Sequence, residues 1–190
     1  MNPVFIEDEQ IEGVDFSKKT FAKGEYEECR FLRCVFSDLY LSQVSFGECV
    51  FEHCDLSMAN MATTTLRDVR FKDSKLLGVH FEDCNSFLLS MTFEGCQLNL
   101  SSFYKLNLKQ TVFKDCSLRE VDFSEADLSG VVFDNCDFAG AVFDRTILEK
   151  ADFRTSYNYS IDPENNRIKK AKFSMGGIVG LLDKYGIEVT

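Results

Sequence analysis

From Phe16 to Phe153 a large apolar side chain returns at every fifth residue, with one interruption. The run from Phe16 through Phe21, Tyr26, Phe31 and Phe36 to Phe81 has fourteen members, and a second run of fourteen extends from Leu88 to Phe153. A strand repeats at two residues and an α-helix at about 3.6, so neither carries this period. Two positions before most large residues stands a small or β-branched one, as at Cys29, Cys34, Val44, Cys49, Cys54, Ala59, Cys96, Cys116, Val121, Ala126 and Cys136. On extended backbone these two positions point the same way. Each five-residue unit therefore predicts one bulky and one small inward group, followed by a polar turn. The interval from Phe81 to Leu88 is seven, which places two extra residues in EDCNSF, residues 82–87. That slip predicts a bulge, which is either a functional loop or an inert one.

The segments outside the repeat read differently. Residues 1–13, with Val4, Phe5 and Ile11, are expected to cap the first coil. After Phe153 the pattern is expected to stop, and Pro163 opposes regular pairing in the connector that follows. Ser174 can cap a helix whose apolar stripe is Ile178, Leu181, Leu182 and Tyr185, with Gly186 as a left-handed stop. Gly176, Gly177 and Gly180 weaken that helix by about 1 kcal/mol each, so it must lean on something. Ile187 and Val189 suit a short strand. This tail either plugs the end of the body or is both plug and two-fold interface.

Pentads such as VDFSE, ADLSG, CDFAG and ADFRT follow the form A(D/N)LXX and resemble the pentapeptide-repeat family over residues 14–155. The resemblance implies an all-β fold, a right-handed quadrilateral parallel β-helix of four pentads per coil, with a short C-terminal helix. The twenty-residue spacing of Cys96, Cys116 and Cys136, and of Cys29 with Cys49, agrees with four pentads per coil. Twenty-eight units make about seven coils, roughly 34 Å of rod. The expected plan is a cap over 1–13, the β-helix over 14–155, and a connector, helix and dimerisation segment over 156–190. The tail NYSIDPENNRIKKAKF, followed by GIEV, is similar to that of the branch that guards type II topoisomerases, the Qnr-like, McbG-like and AlbG-like proteins. That resemblance implies a homodimeric rod that imitates duplex DNA, binds DNA gyrase or a relative, and protects it from a quinolone or a peptide toxin. The dimer interface would then comprise Phe173, Ile178, Leu181, Leu182, Tyr185, Ile187 and Val189. The chain has no long projecting loop, which makes it more similar to the immunity proteins.

Charge bears on the same question. The net charge is −10 and the pI near 4.7, which disfavours direct nucleic-acid binding and favours either a basic partner or simple solubility. Residues 115–152 hold ten acids, Asp115, Glu120, Asp122, Glu125, Asp127, Asp134, Asp137, Asp144, Glu149 and Asp152, against three bases. DNA mimicry requires them to gather into one stripe. An even spread favours a scaffold with an unrelated partner, and Asp122, Asp127, Asp137 and Asp152 are placed to bond their own coil instead.

No catalytic, cofactor-binding or metal-binding residue is assigned. Cys29, Cys34, Cys49 and Cys54 are C-x4-C pairs in the inward slot, a pattern that suits buried packing over zinc ligation. Cys84, in the slip, is the thiol expected to face solvent. His53 and His80 fall at surface positions without a nucleophile at a suggestive spacing. Phosphate-loop, HExxH and nucleophile-elbow motifs are missing, so the expectation is not an enzyme. The acidic N-terminus MNPVFIEDEQ does not read as a signal peptide, and a cytoplasmic location is expected.

Overall fold

A computed structural model describes residues 3–188. The chain winds as a square solenoid in which short parallel strands stack at an interval of twenty residues. On the first wall β1 (Val4–Glu7), β3 (Gly24–Glu27), β5 (Ser45–Gly47) and β7 (Thr65–Arg67) pair in sequence. On the second wall β2 (Gln10–Glu12), β4 (Arg30–Leu32), β6 (Val50–Glu52), β8 (Val69–Lys72), β9 (Met91–Glu94), β10 (Val112–Lys114) and β11 (Phe133–Asp134) form one seven-stranded sheet. Single bridges build the other two walls, for example Gln97–Ser117–Asp137–Tyr157 on the third and Ser102–Asp122–Val142 on the fourth.

The pentad pattern dictates this core. Phe31, Phe51, Phe71, Phe93, Phe113, Phe133, Phe153 and Phe173 stack inside the second wall, with ring centroids 4.7–5.5 Å apart and planes within 25°. That spacing is close to the strand separation, so each ring rests on its equivalent one coil away. The first wall carries nine inward levels: Ile6, Tyr26, Phe46, Leu66, Leu89, Leu108, Leu128, Leu148 and Ile168. Corners close largely on residues with positive φ, twenty-two of them, among the described residues, not glycine.

The smaller inward slot has a second role. Where a corner is closed, the carbonyl of the large residue accepts the N–H three residues on, as Leu76 accepts Val79, Leu118 accepts Val121 and Leu148 accepts Ala151. At open corners that carbonyl turns to the next coil. Tyr26, Phe31, Phe71 and Phe93 then accept from the thiols of Cys49, Cys54, Cys96 and Cys116 at 3.3–3.5 Å. Phe51, Phe133 and Phe143 accept from Ser74, Ser156 and Asn166 at 2.9–3.1 Å. The cysteine column adds a second, buried donor to carbonyls that already accept a strand N–H of the next coil.

Several boundaries move. Residues 4–12 are not a cap but the first walls themselves, with Val4–Glu7 in register with Gly24–Glu27 and Gln10–Glu12 with Arg30–Leu32. At the other end the coil passes 155: Ile147 bridges Arg167 and Asp152 bridges Lys172. Ser156, Ile161 and Asn166 keep the small inward slot and are buried, although Asn158 and Pro163 have lost the large one. Tyr159, one residue out of register, fills the vacant interior between Phe153 and Phe173. The expected helix is instead two 3-10 turns, Gly177–Leu181 and Asp183–Tyr185. A Cβ on Gly177 or Gly180 would come within about 2 Å of Tyr159, so these glycines admit a close approach and leave too little propensity for a regular helix. Ser174 Oγ does accept the Gly177 N–H at 3.0 Å, and Gly186 is left-handed as expected. Ile187 forms no strand, and Val189 lies outside the described residues.

The slip falls later than EDCNSF suggested. Phe81–Asp83 is a 3-10 turn, Cys84 is buried and Asn85 still donates in register to Thr64. The extra residues lie between Asn85 and Ser90, whose N–H reaches Leu66. Leu89 packs against the core in place of Leu88, while Phe87 and Leu88 are 72% and 58% exposed. The bulge interrupts the first wall at the fifth of its nine levels, where its sheet ends.

Candidate partner-binding surface

With the interior filled, recognition falls to the outer walls. The ten acids do not meet there. Asp127 and Glu149 lie on the first wall, Asp115, Asp134 and Asp152 on the second, Glu120 and Asp137 on the third, and Asp122, Glu125 and Asp144 on the fourth. Asp122, Asp127, Asp137 and Asp152 each accept a backbone N–H two residues on, at 2.8–3.2 Å. This short turn is the local reason for Asp or Asn in that slot of the pentad.

Five of the ten are also ion-paired with neighbours. Glu125 pairs with Lys105 and Arg145, Asp127 with Lys109, Asp144 with Arg145, and Glu149 with Arg167. Asp152 is the most enclosed. Arg154 grips it with Nε at 3.0 Å and Nη2 at 2.8 Å, and Lys172 stands at 3.5 Å. The Arg154 guanidinium lowers the Asp152 pKa to about 2, against the opposing effect of burial. Asp115 and Asp137 accept from Asn135 and Asn158 at 2.7 and 2.8 Å, and Asp134 from Thr155 at 3.2 Å.

The proposed dimer residues split into two groups. Phe173 stacks on Phe153, and Leu181 and Leu182 are half-buried in the end cap. Ile178, Tyr185 and Ile187 are exposed, together with Met175 and Val179, so the C-terminal end presents apolar surface. Lys184 bridges Asp162 and Glu164 at 2.7 and 2.8 Å and ties the last turn to the final coil.

A different acidic row appears when every twentieth residue is followed. The corner between the first and second walls carries Asp8, Glu28, Glu48 and Asp68, one per coil, all exposed and with φ of 52–55°. A groove of about 580 Å3 runs beside Glu28, Glu48 and Asp68, lined also by Val50 and Arg70. Beyond the bulge the same corner changes sign, reaching Lys150 and Lys170, both at φ 62°. The period of twenty was legible in the sequence; applying it to the turn residues as well as the inward ones would have revealed this row.

The family model described as a pentapeptide repeat region matches residues 24–90 and 86–157. The chain belongs to the pentapeptide-repeat family. No curated protein matches it. Among solved structures, the fold is similar to that of HetL, a pentapeptide-repeat protein involved in heterocyst differentiation regulation in the cyanobacterium Nostoc. The two share 17% identity at a TM-score of 0.67, over 90% of this chain and 87% of HetL. It is also similar to full-length QnrB1, a plasmid-mediated fluoroquinolone resistance protein, at 18% identity and a TM-score of 0.55, over 97% of this chain and all of QnrB1. At these identities the likeness establishes the pentapeptide-repeat fold. Among the described residues no helix is long and apolar enough to cross a membrane.

Proposed function

We propose that this pentapeptide-repeat protein is a non-catalytic, protein-binding rod of the cytoplasm whose partner is DNA gyrase or a related type II topoisomerase, which it shields from a quinolone or peptide toxin. The observation that carries the binding role is the division of the molecule into a packed interior and an acidic exterior with a net charge of −10. Such a rod has its chemistry on the outside, where a basic saddle of a DNA-processing enzyme is a fitting counterpart. The finer choice of partner is supported by the resemblance of the tail to the topoisomerase-guarding branch. The exposed Met175, Ile178, Val179, Tyr185 and Ile187 support a homodimer joined through the C-terminal end.

A second reading, a scaffold for an unrelated protein, is favoured by the spread of the ten acids over four walls and by their ion pairs. The deciding experiment is a supercoiling assay with purified gyrase, with and without a poison. Relief of poisoning, or a change in supercoiling, supports the topoisomerase reading. No effect in either condition across a wide range of protein concentration removes it and leaves the scaffold.

A further inference from the structure

We infer that the first wall is a second, lateral interface whose occupant is another copy of this chain, packed antiparallel. Three observations on that wall converge. The bulge sets exposed Phe87 and Leu88 at the fifth of nine levels, the midpoint of the rod. On one side of it the corner row is acidic, Asp8, Glu28, Glu48 and Asp68, and on the other it ends in Lys150 and Lys170. Among the described residues Asp8, Glu28, Asp68, Lys150 and Lys170 form no ion pair, on a surface where most other charges have one.

A two-fold axis along the strand direction through the fifth level reverses the rod and keeps the corner facing itself. The first level then meets the ninth and the second meets the eighth. Asp8 faces Lys170 of the second copy, Glu28 faces Lys150, and the two Phe87–Leu88 knobs meet on the axis. Opposite charge at both ends of an apolar centre is what a self-complementary interface requires. A two-fold axis along the rod would instead carry this corner to the opposite edge of the wall, and the two charged rows would not meet. The end-to-end joint proposed above cannot mimic this contact. Through that joint the two Phe87 side chains would lie some 38 Å or more apart, given about 4.8 Å per level.

The test is oxidative cross-linking of the full chain carrying Phe87→Cys, an exposed position that leaves the core and the buried native thiols untouched. A covalent dimer is expected on a non-reducing gel at micromolar protein. Its yield should fall at least tenfold in 1 M NaCl and in a Lys150→Glu, Lys170→Glu background. It should recover when Asp8→Lys and Glu28→Lys are added to that background. Circular dichroism of each variant reports that the solenoid is retained. A monomer under oxidant, or a dimer whose yield ignores salt and charge reversal, overturns the inference. Neither result bears on the supercoiling assay.

Discussion

Ser74 and Ser101 are the same residue type, in the same inward slot, each 1% exposed. Their replacement by alanine should nevertheless have opposite results. Ser74 Oγ accepts the Cys54 N–H at 3.0 Å and lies 3.1 Å from the Phe51 carbonyl and 2.8 Å from that of Lys72. Ser74→Ala strips the acceptor from the buried Cys54 N–H and one of two donors from the Phe51 carbonyl, which keeps the Lys72 N–H of the strand ladder. At about 1–3 kcal/mol for an unsatisfied buried group, the loss should be about 1–3 kcal/mol. Ser101 lies over Leu76, whose carbonyl is already taken by Val79 N–H, and its own hydroxyl has no partner among the described residues. Ser101→Ala removes a buried, unpaired hydroxyl and should be neutral or stabilising by up to about 1 kcal/mol. In scanning calorimetry a chain of this size shifts about 2–4 °C per kcal/mol. Ser74→Ala should therefore lower Tm by roughly 2–12 °C, while Ser101→Ala leaves it unchanged or raises it by a few degrees. Equal losses in the two variants would refute the idea that the hydrogen bonds of the slot side chain, and not its residue type, set the cost of losing it.

Three further outcomes are expected. Asp152 has a pKa lowered to about 2, so its charge stabilises the fold above its unfolded value near 4, and that contribution is lost as pH falls from about 4 to 2. Asp152→Asn should cost about 1–2 kcal/mol at pH 7, and the difference from the parent should vanish near pH 2 in urea titrations. Burial raises the thiols of Cys49, Cys54 and Cys84 to about 12, so Ellman's reagent should label none of the eight cysteines in the folded protein and all eight in denaturant. Rapid labelling of Cys84 would show that the bulge region opens. Charged residues at Leu181 and Leu182 should halve the mass seen by sedimentation if the C-terminal end is the dimer joint; an unchanged mass places the joint elsewhere.

The sequence by itself determined the repeat. A period of five with a small inward slot excluded a regular strand or helix, the pentads carried the resemblance that implied a four-walled solenoid, and the twenty-residue recurrence of cysteine agreed with four pentads to a coil. Those constraints are local and recur in every pentad. It also located the Asp turns, because Asp122 and Asp127 bond atoms two residues away. Tertiary structure decided whatever depended on the neighbouring coil. Tyr159 could fill the hole left at Asn158 because Phe153 and Phe173 shaped it. Leu89 displaced Leu88 from the core because Thr64 and Leu66 fixed the register on either side of the bulge. The ten acids read as one dense segment along the chain, yet twenty residues of chain pass once around four walls, so proximity in sequence became dispersion in space. The same winding brought Asp8, Glu28, Glu48 and Asp68, far apart in the chain, into a single row.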